Sequence, residues 1–321
     1  MPSIVTHHLF AKDILESLPH SIKETVNKNI ETYLIFAQSF DNLFYYHFLF
    51  PITGQKIRQL GIDAQKVKTD IYFKKIIENI KKKHLENNAE LLAFLYGSVT
   101  HYILDYHCHP FVFYYTNDVN LNLKHRGLHA KMEVNLDAYM LKKRENKALK
   151  DEQLANILLP KIKFSKELKS IMDNVYLQTF NVKNMGTIYE KSVQNGNFIL
   201  KNFVTDKMGI KKKLYRLRDN ITFLSKRRYE YLSFHVTEIN RNYLNEKHDL
   251  WLNPWSGKES NQSFNDLYEE ALDNALNAIK IIDNYFANKV SLNEVMNILK
   301  DYSYLSGISW HDNKPLIYSK I

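Results

Sequence analysis

Apolar residues recur at spacings of three and four along most of the chain, the pattern of helices that each bury one face. The clearest example is NDLYEEALDNALNAIKIIDNYF, after Ser263, where Leu267, Ala271, Leu272, Ala275 and Ile279 share a stripe suited to core packing. Helix starts are marked at Thr6, at Ser263 with Asp266 three residues on, and at Ser291 with Glu294 three residues on, the last a capping-box pattern. Stops are expected at Pro19, Pro51, Gly61 and Pro110. No stretch has the sustained alternation of a β domain, and no fixed-period repeat signals a solenoid. The pattern predicts an all-α fold, a multi-helix bundle, with residues 1–321 as one domain. A Lys-rich stretch over 141–230 is compatible with a helical subdomain or insertion.

The most apolar runs, LFYYHFLFPI from Leu43 and LLAFLYGSVTHYIL from Leu91, are too short and too polar to cross a bilayer. No transmembrane segment is therefore expected, and peripheral contact is the remaining membrane mode. At 45% hydrophobic and 13% aromatic residues, the chain has ample material for a core. Its formal charge of +9 favours anionic partners such as phosphate esters, nucleic acid or acidic lipid. The single cysteine, Cys108, excludes an intrachain disulfide. His7, His8, Lys12 and Asp13 interrupt the first apolar run, so no secretory signal is read and a cytoplasmic location is expected.

Against that apolar background stands GSVTHYILDYHCHP, residues 97–110. His101 and Asp105 are four apart and share a helix face, and His109 follows one turn later if the helix survives to Pro110. A second series, His125, His129, Glu133 and Asp137, repeats the spacing. Imidazole nitrogen and carboxylate oxygen suit zinc, and a pair four apart can place both donors on one ion. The plainer reading pairs His101 with Asp105 inside the core. Burial without partners would cost several kcal/mol, roughly, and a metal shared between two helices supplies them. His107 and Cys108 lie off the stripe and read as structural, and His125 borders a loop.

VTHHLFAKDIL at the start, AQSFD at Ala37–Asp41, GSVTHYILDYHCHP and HAKMEVNLDAYM together resemble the zinc-dependent phospholipase C family, which shares its fold with S1/P1 nucleases. The likeness covers roughly residues 1–145, with a weaker echo in WLNPWSG and SFNDLYEEA. It implies a helical bundle holding two or three zinc ions in a cleft, and a phosphodiester hydrolase in which zinc-activated hydroxide attacks phosphorus. By motif, His7, Asp41, His101, Asp105, His109, His129 and Glu133 would be the metal ligands, with Asp105 bridging. Asp41 and Asp105 would be the catalytic carboxylates, Asp41 either holding the water or acting as base. Relatives usually carry a further histidine near the position of Gln65, and His47 is the nearest substitute. Where relatives ligate a third ion through a processed N-terminal amine, this chain would offer Pro2.

The implied substrate is a phosphate ester, either a phospholipid headgroup or a nucleotide, with no obligate protein partner. Alternatives are a non-catalytic zinc-binding protein of the same fold, or a nucleic-acid-binding one using KKKLYRLRDNITFLSKRRYEYL from Lys211. An HD-type phosphohydrolase would have to use His248-Asp249 or His311-Asp312, both remote in sequence from the histidine cluster.

Overall fold

The computed structural model describes residues 4–117, 127–158, 161–222, 228–312 and 314–320. In chain order the helices are α1 (Ile4–Ser17), α2 (His20–Asn27), α3 (Ile30–Phe36), α4 (Pro51–Ala64), α5 (Thr69–Lys82), α6 (Ala89–Thr116) and α7 (Leu128–Glu145). They continue with α8 (Leu154–Leu158), α9 (Lys166–Phe180), α10 (Met185–Ile199), α11 (Ile210–Ile221), α12 (Phe264–Phe286) and α13 (Leu292–Leu299). A 3-10 turn, Ser39–Tyr45, joins α3 to α4. Two short strands, Trp251–Leu252 and Glu259–Ser260, pair antiparallel with Trp251 opposite Ser260. No described helix is long and apolar enough to cross a membrane.

α6 is the axle. Nearly every residue from Leu91 to Thr116 is buried, because the run is apolar on all sides rather than on one stripe. α3 and α12 pack along it, and α1 and α7 cross it near the histidines. α12 turns Leu267, Ala271, Ala275 and Ile279 inward as its stripe predicts, with Leu272 half-buried. Ser263 and Ser291 both form reciprocal capping boxes, with Asp266 and Glu294 respectively. From the Lys-rich stretch, Tyr189 of α10 stacks on Phe36 with centroids 4.7 Å apart, and Tyr176 of α9 meets Phe40 at 6.1 Å. The buried apolar cluster runs without a break from Ile4 to Tyr304.

Several expected boundaries are corrected. α1 (Ile4–Ser17) ends just ahead of Pro19, as expected, but the chain is already helical at Ile4, before Thr6. Pro51 opens α4 at its first turn, where a missing N–H is harmless, instead of ending a helix. Gly61 sits inside α4 because a side chain there would press on the Ser39–Tyr45 turn: an added Cβ would stand 3.1 Å from Phe40 O. Pro110 lies within α6. The carbonyl of Tyr106, which Pro110 cannot bond, is covered by Gly307, whose φ is +63° and whose added Cβ would fall 2.5 Å from that oxygen. The helix therefore survives the proline, and His109 stays on the face of His101 and Asp105.

Candidate metal centre

α6 presents His101, Asp105 and His109 on successive turns, α1 brings His7, and α7 brings His129 and Glu133. Two groups result: His7 with His101 and Asp105, and His109 with His129 and Glu133, each with donor atoms within 4.8 Å of one another. His7 Nε2 lies 3.0 Å from Asp105 Oδ1, and His101 Nε2 lies 3.1 Å from Asp105 Oδ2. In the second group Glu133 Oε1 is 2.7 Å from His129 Nε2 and 3.9 Å from His109 Nε2. Asp105 Oδ1 is also 3.7 Å from His109 Nδ1, so this carboxylate stands between the groups.

Backbone carbonyls set the tautomers. His101 Nδ1–H donates to Ala37 O at 3.1 Å, and His109 Nδ1–H donates to Tyr304 O at 2.9 Å. A carbonyl can only accept, so in each neutral ring the lone pair is left on Nε2, facing the carboxylates. His101 Nε2, Asp105 Oδ2 and both Glu133 oxygens are buried and accept no hydrogen bond. Lone pairs aimed at one another in a dry site are unfavourable unless a proton or a metal cation lies among them. Imidazole nitrogens and carboxylate oxygens are the donors zinc takes, so the two groups fit it.

The electrostatics agree with the geometry. Burial alone would push the Asp105 carboxyl up, but the imidazoles of His109, His101 and His7 outweigh it and hold it well below the usual carboxylate range. Burial also works against charge on His101, yet the adjacent Asp105 raises it above the ordinary imidazole value. His7 is lowered, by burial first and then by His101. A cavity joins the groups, with His7, Asp105, His109 and Glu133 on its polar side and Leu136 and Phe264 on its apolar side.

Asp41 is buried in the Ser39–Tyr45 turn and lies outside both groups. Gln65 Nε2 donates to Asp41 Oδ1 at 2.7 Å, so an amide N–H stands where the resemblance leads one to expect a ligating histidine, and an N–H cannot ligate. Burial pushes the Asp41 carboxyl up to about 6; Asp105 adds to this, and His101 and His7 oppose it. His47 does not compensate: its Nδ1 lies 3.3 Å from Thr53 Oγ1 and its ring stacks on Tyr46. His107 pairs with Asn274 at 2.9 Å, away from the centre, and burial lowers it to about 4. Cys108 is buried and lines the cavity, and burial pushes its thiol up. His248 leans on Asn261 O and Asp266, and His311 stacks on Trp310, so neither His-Asp pair joins a metal group. His125 and Pro2 lie outside the described residues.

Asp137 was visible in the stripe of α7 but its task was not. Its carboxylate accepts from Val5 N at 3.1 Å, Thr6 N at 2.8 Å and Thr6 Oγ1 at 2.8 Å, capping the first turn of α1 from a distance. Thr6, expected to begin the helix, is thus a donor within it, and His7 is fixed by its neighbour's hydrogen bonds. The carbonyls of Ala37 and Tyr304 carry no sequence signal at all.

Across residues 6–185 the sequence matches the profile of the family described as zinc dependent phospholipase C, more than half of its length. The chain belongs to the zinc-dependent phospholipase C family. The matched region contains both donor groups, Asp41 and Gln65, and the helical architecture is that of a phospholipase C-like fold. Membership places the chain among phospholipase C-like hydrolases whose family is zinc-dependent. No curated protein and no solved structure matches it.

Proposed function

We propose that this phospholipase C-family protein hydrolyses a phosphodiester of a phospholipid headgroup, with one zinc ion held by His7, His101 and Asp105 and a second by His109, His129 and Glu133. The observation that carries the reading is the convergence of imidazole nitrogens and carboxylate oxygens into two groups, each with donor atoms within 4.8 Å of one another and buried oxygens without a hydrogen bond. Zinc bound there supplies Lewis-acid activation of water and neutralises charge at phosphorus. Asp105, flanked by three imidazoles, remains ionised and ties the two groups together. Asp41, pushed up to about 6 and steered by Gln65, serves as the proton acceptor beside them. Leu104, Val112, Leu136 and Phe264 make the cavity wall largely aliphatic, which favours a lipid over a stacked nucleobase. The Asp41–Gln65 pair supports a two-ion centre without the third ion of some relatives. The whole chain, 141–230 included, acts as one domain in this reading, supported by its unbroken core. A cytoplasmic setting fits the lone, buried Cys108.

The test is metal content per chain, alongside hydrolysis of phosphatidylcholine with and without added zinc. Wild type is expected to hold two ions, and His101→Ala and Glu133→Ala one fewer each, with chelated protein inactive until zinc returns. A wild-type protein that binds no zinc, or full activity in both variants, would overturn the reading.

A further inference from the structure

α11 is amphipathic in the inverse sense. Its inward face is polar: Asp219 is fully buried, and its carboxylate accepts the amides of Tyr229 and Glu230, each at 2.9 Å. Arg216 Nε sits 2.9 Å from Glu230 Oε2, and Lys212 Nζ donates to His235 O at 2.7 Å. The outward face is Ile210, Leu214, Leu217 and Ile221, at spacings of four, three and four. At 100° per residue these fall within an arc of about 60°, on the side opposite Asp219. They are 59%, 60%, 59% and 72% exposed, and Met208, just ahead of the helix, is 74% exposed. A soluble surface rarely carries such an unbroken apolar row without a partner for it.

The charge along the helix beside the row is of one sign. Lys211 and Arg218 flank it on one side and Lys213 on the other, with Lys207, 3.7 Å from Asp151, before it; between Lys207 and Thr222 the one acidic residue is Asp219, which points inward. α11 also belongs to the catalytic end of the molecule. It packs on the turn Tyr229–Leu232, which packs on α7, the helix of His129 and Glu133. The backbone at Gly127, just ahead of α7, approaches Arg228 so closely that an added Cβ would stand 2.9 Å from its Cβ.

We propose that α11 is an interfacial helix that docks the protein on an anionic bilayer, with Ile210, Leu214, Leu217 and Ile221 entering the headgroup boundary and the flanking Lys and Arg lying against acidic lipids. A nucleic-acid groove would need the cations outermost, and here the leucines are. A second copy would bring two rows of like charge against each other. The inference stands on α11 and not on the metal chemistry.

Co-sedimentation tests it, with vesicles of phosphatidylcholine and phosphatidylserine in equal parts, and of phosphatidylcholine alone. Wild type is expected to pellet with the mixed vesicles, and far less with the neutral ones. Removing two leucines in Leu214→Gln/Leu217→Gln lowers partitioning by roughly a hundredfold. Lys207→Gln/Lys213→Gln lowers it roughly tenfold and weakens its salt dependence. All these side chains are exposed, so both variants keep the wild-type melting curve by circular dichroism. Failure of wild type to pellet, or unchanged pelleting of the leucine variant, overturns the proposal. So does a dimer that the leucine variant dissolves, or RNA binding that the lysine variant loses and the leucine variant keeps.

Discussion

Asp137 links the stability of α1 to the candidate metal centre, and Asp137→Ala measures that link. The substitution strips the partner from three donors in a region where Asp137, Thr6 and Val5 are 0%, 1% and 2% exposed. Each buried donor left without an acceptor costs roughly 1–3 kcal/mol. The Thr6 hydroxyl can rotate toward another acceptor, which recovers part of the loss and leaves about 4 kcal/mol. Over 321 residues, an unfolding entropy of roughly 2.1 cal/mol/K per residue amounts to about 0.7 kcal/mol/K, so Tm should fall by about 6 °C. Asp137→Asn keeps one acceptor oxygen and should lose about half as much. Differential scanning calorimetry on zinc-loaded protein reads these shifts. A titration of zinc in the same samples should show the site of His7 weakened, since Thr6 adjoins it. An Asp137→Ala protein that melts within about 1 °C of wild type would mean the cap does not hold α1, and the account of how His7 is positioned would fail.

Asp105→Asn removes the charge shared by both groups and should abolish most zinc binding and phosphodiester hydrolysis together; elemental analysis and a turnover assay read the two separately. Gln65→His replaces the amide N–H beside Asp41 with an imidazole lone pair, and the variant should bind one more zinc ion per chain than wild type. Glu133→Gln gives His129 and its neighbours an N–H to accept, so the zinc-free variant should unfold at higher urea than zinc-free wild type, by about 1 kcal/mol, while binding less zinc. Burial pushes the Asp137 carboxyl up to about 7 from an ordinary 3.8, so the folded state favours its protonated form. That contribution is complete below about pH 4 and is lost as pH rises through about 7; urea titrations across this window should show it in wild type and not in Asp137→Asn.

What the sequence showed of this fold followed the range of each interaction. The caps at Ser263 and Ser291 were legible because each depends on a residue and its third neighbour. Pro110 and Gly61 were misread because what permits them comes from elsewhere in the chain: Gly307 covers the freed Tyr106 carbonyl, and the Ser39–Tyr45 turn presses on Gly61. The stripe of His101, Asp105 and His109 is a matter of helical spacing, so it could be read directly. Bringing His7 and Glu133 to it required the resemblance, and the orienting carbonyls of Ala37 and Tyr304 had no signal, since every residue has a carbonyl.

α11 marks the sharper limit. Periodicity establishes that a helix has two faces; it does not say which one meets the protein. The expectation that an apolar stripe packs inward holds for α12, which buries Leu267, Ala271, Ala275 and Ile279. It reverses for α11 because Asp219, Arg216 and Lys212 each find a fixed partner on the body, from amides of the Tyr229–Leu232 turn to the His235 carbonyl. Turning that face outward would strand the buried Asp219 carboxylate and leave Glu230, which is 5% exposed, with Arg228 as its one remaining arginine partner. The outward leucines are therefore the consequence of a polar interface built to hold the helix in that orientation, and a surface that keeps them in water needs something apolar and anionic to cover it.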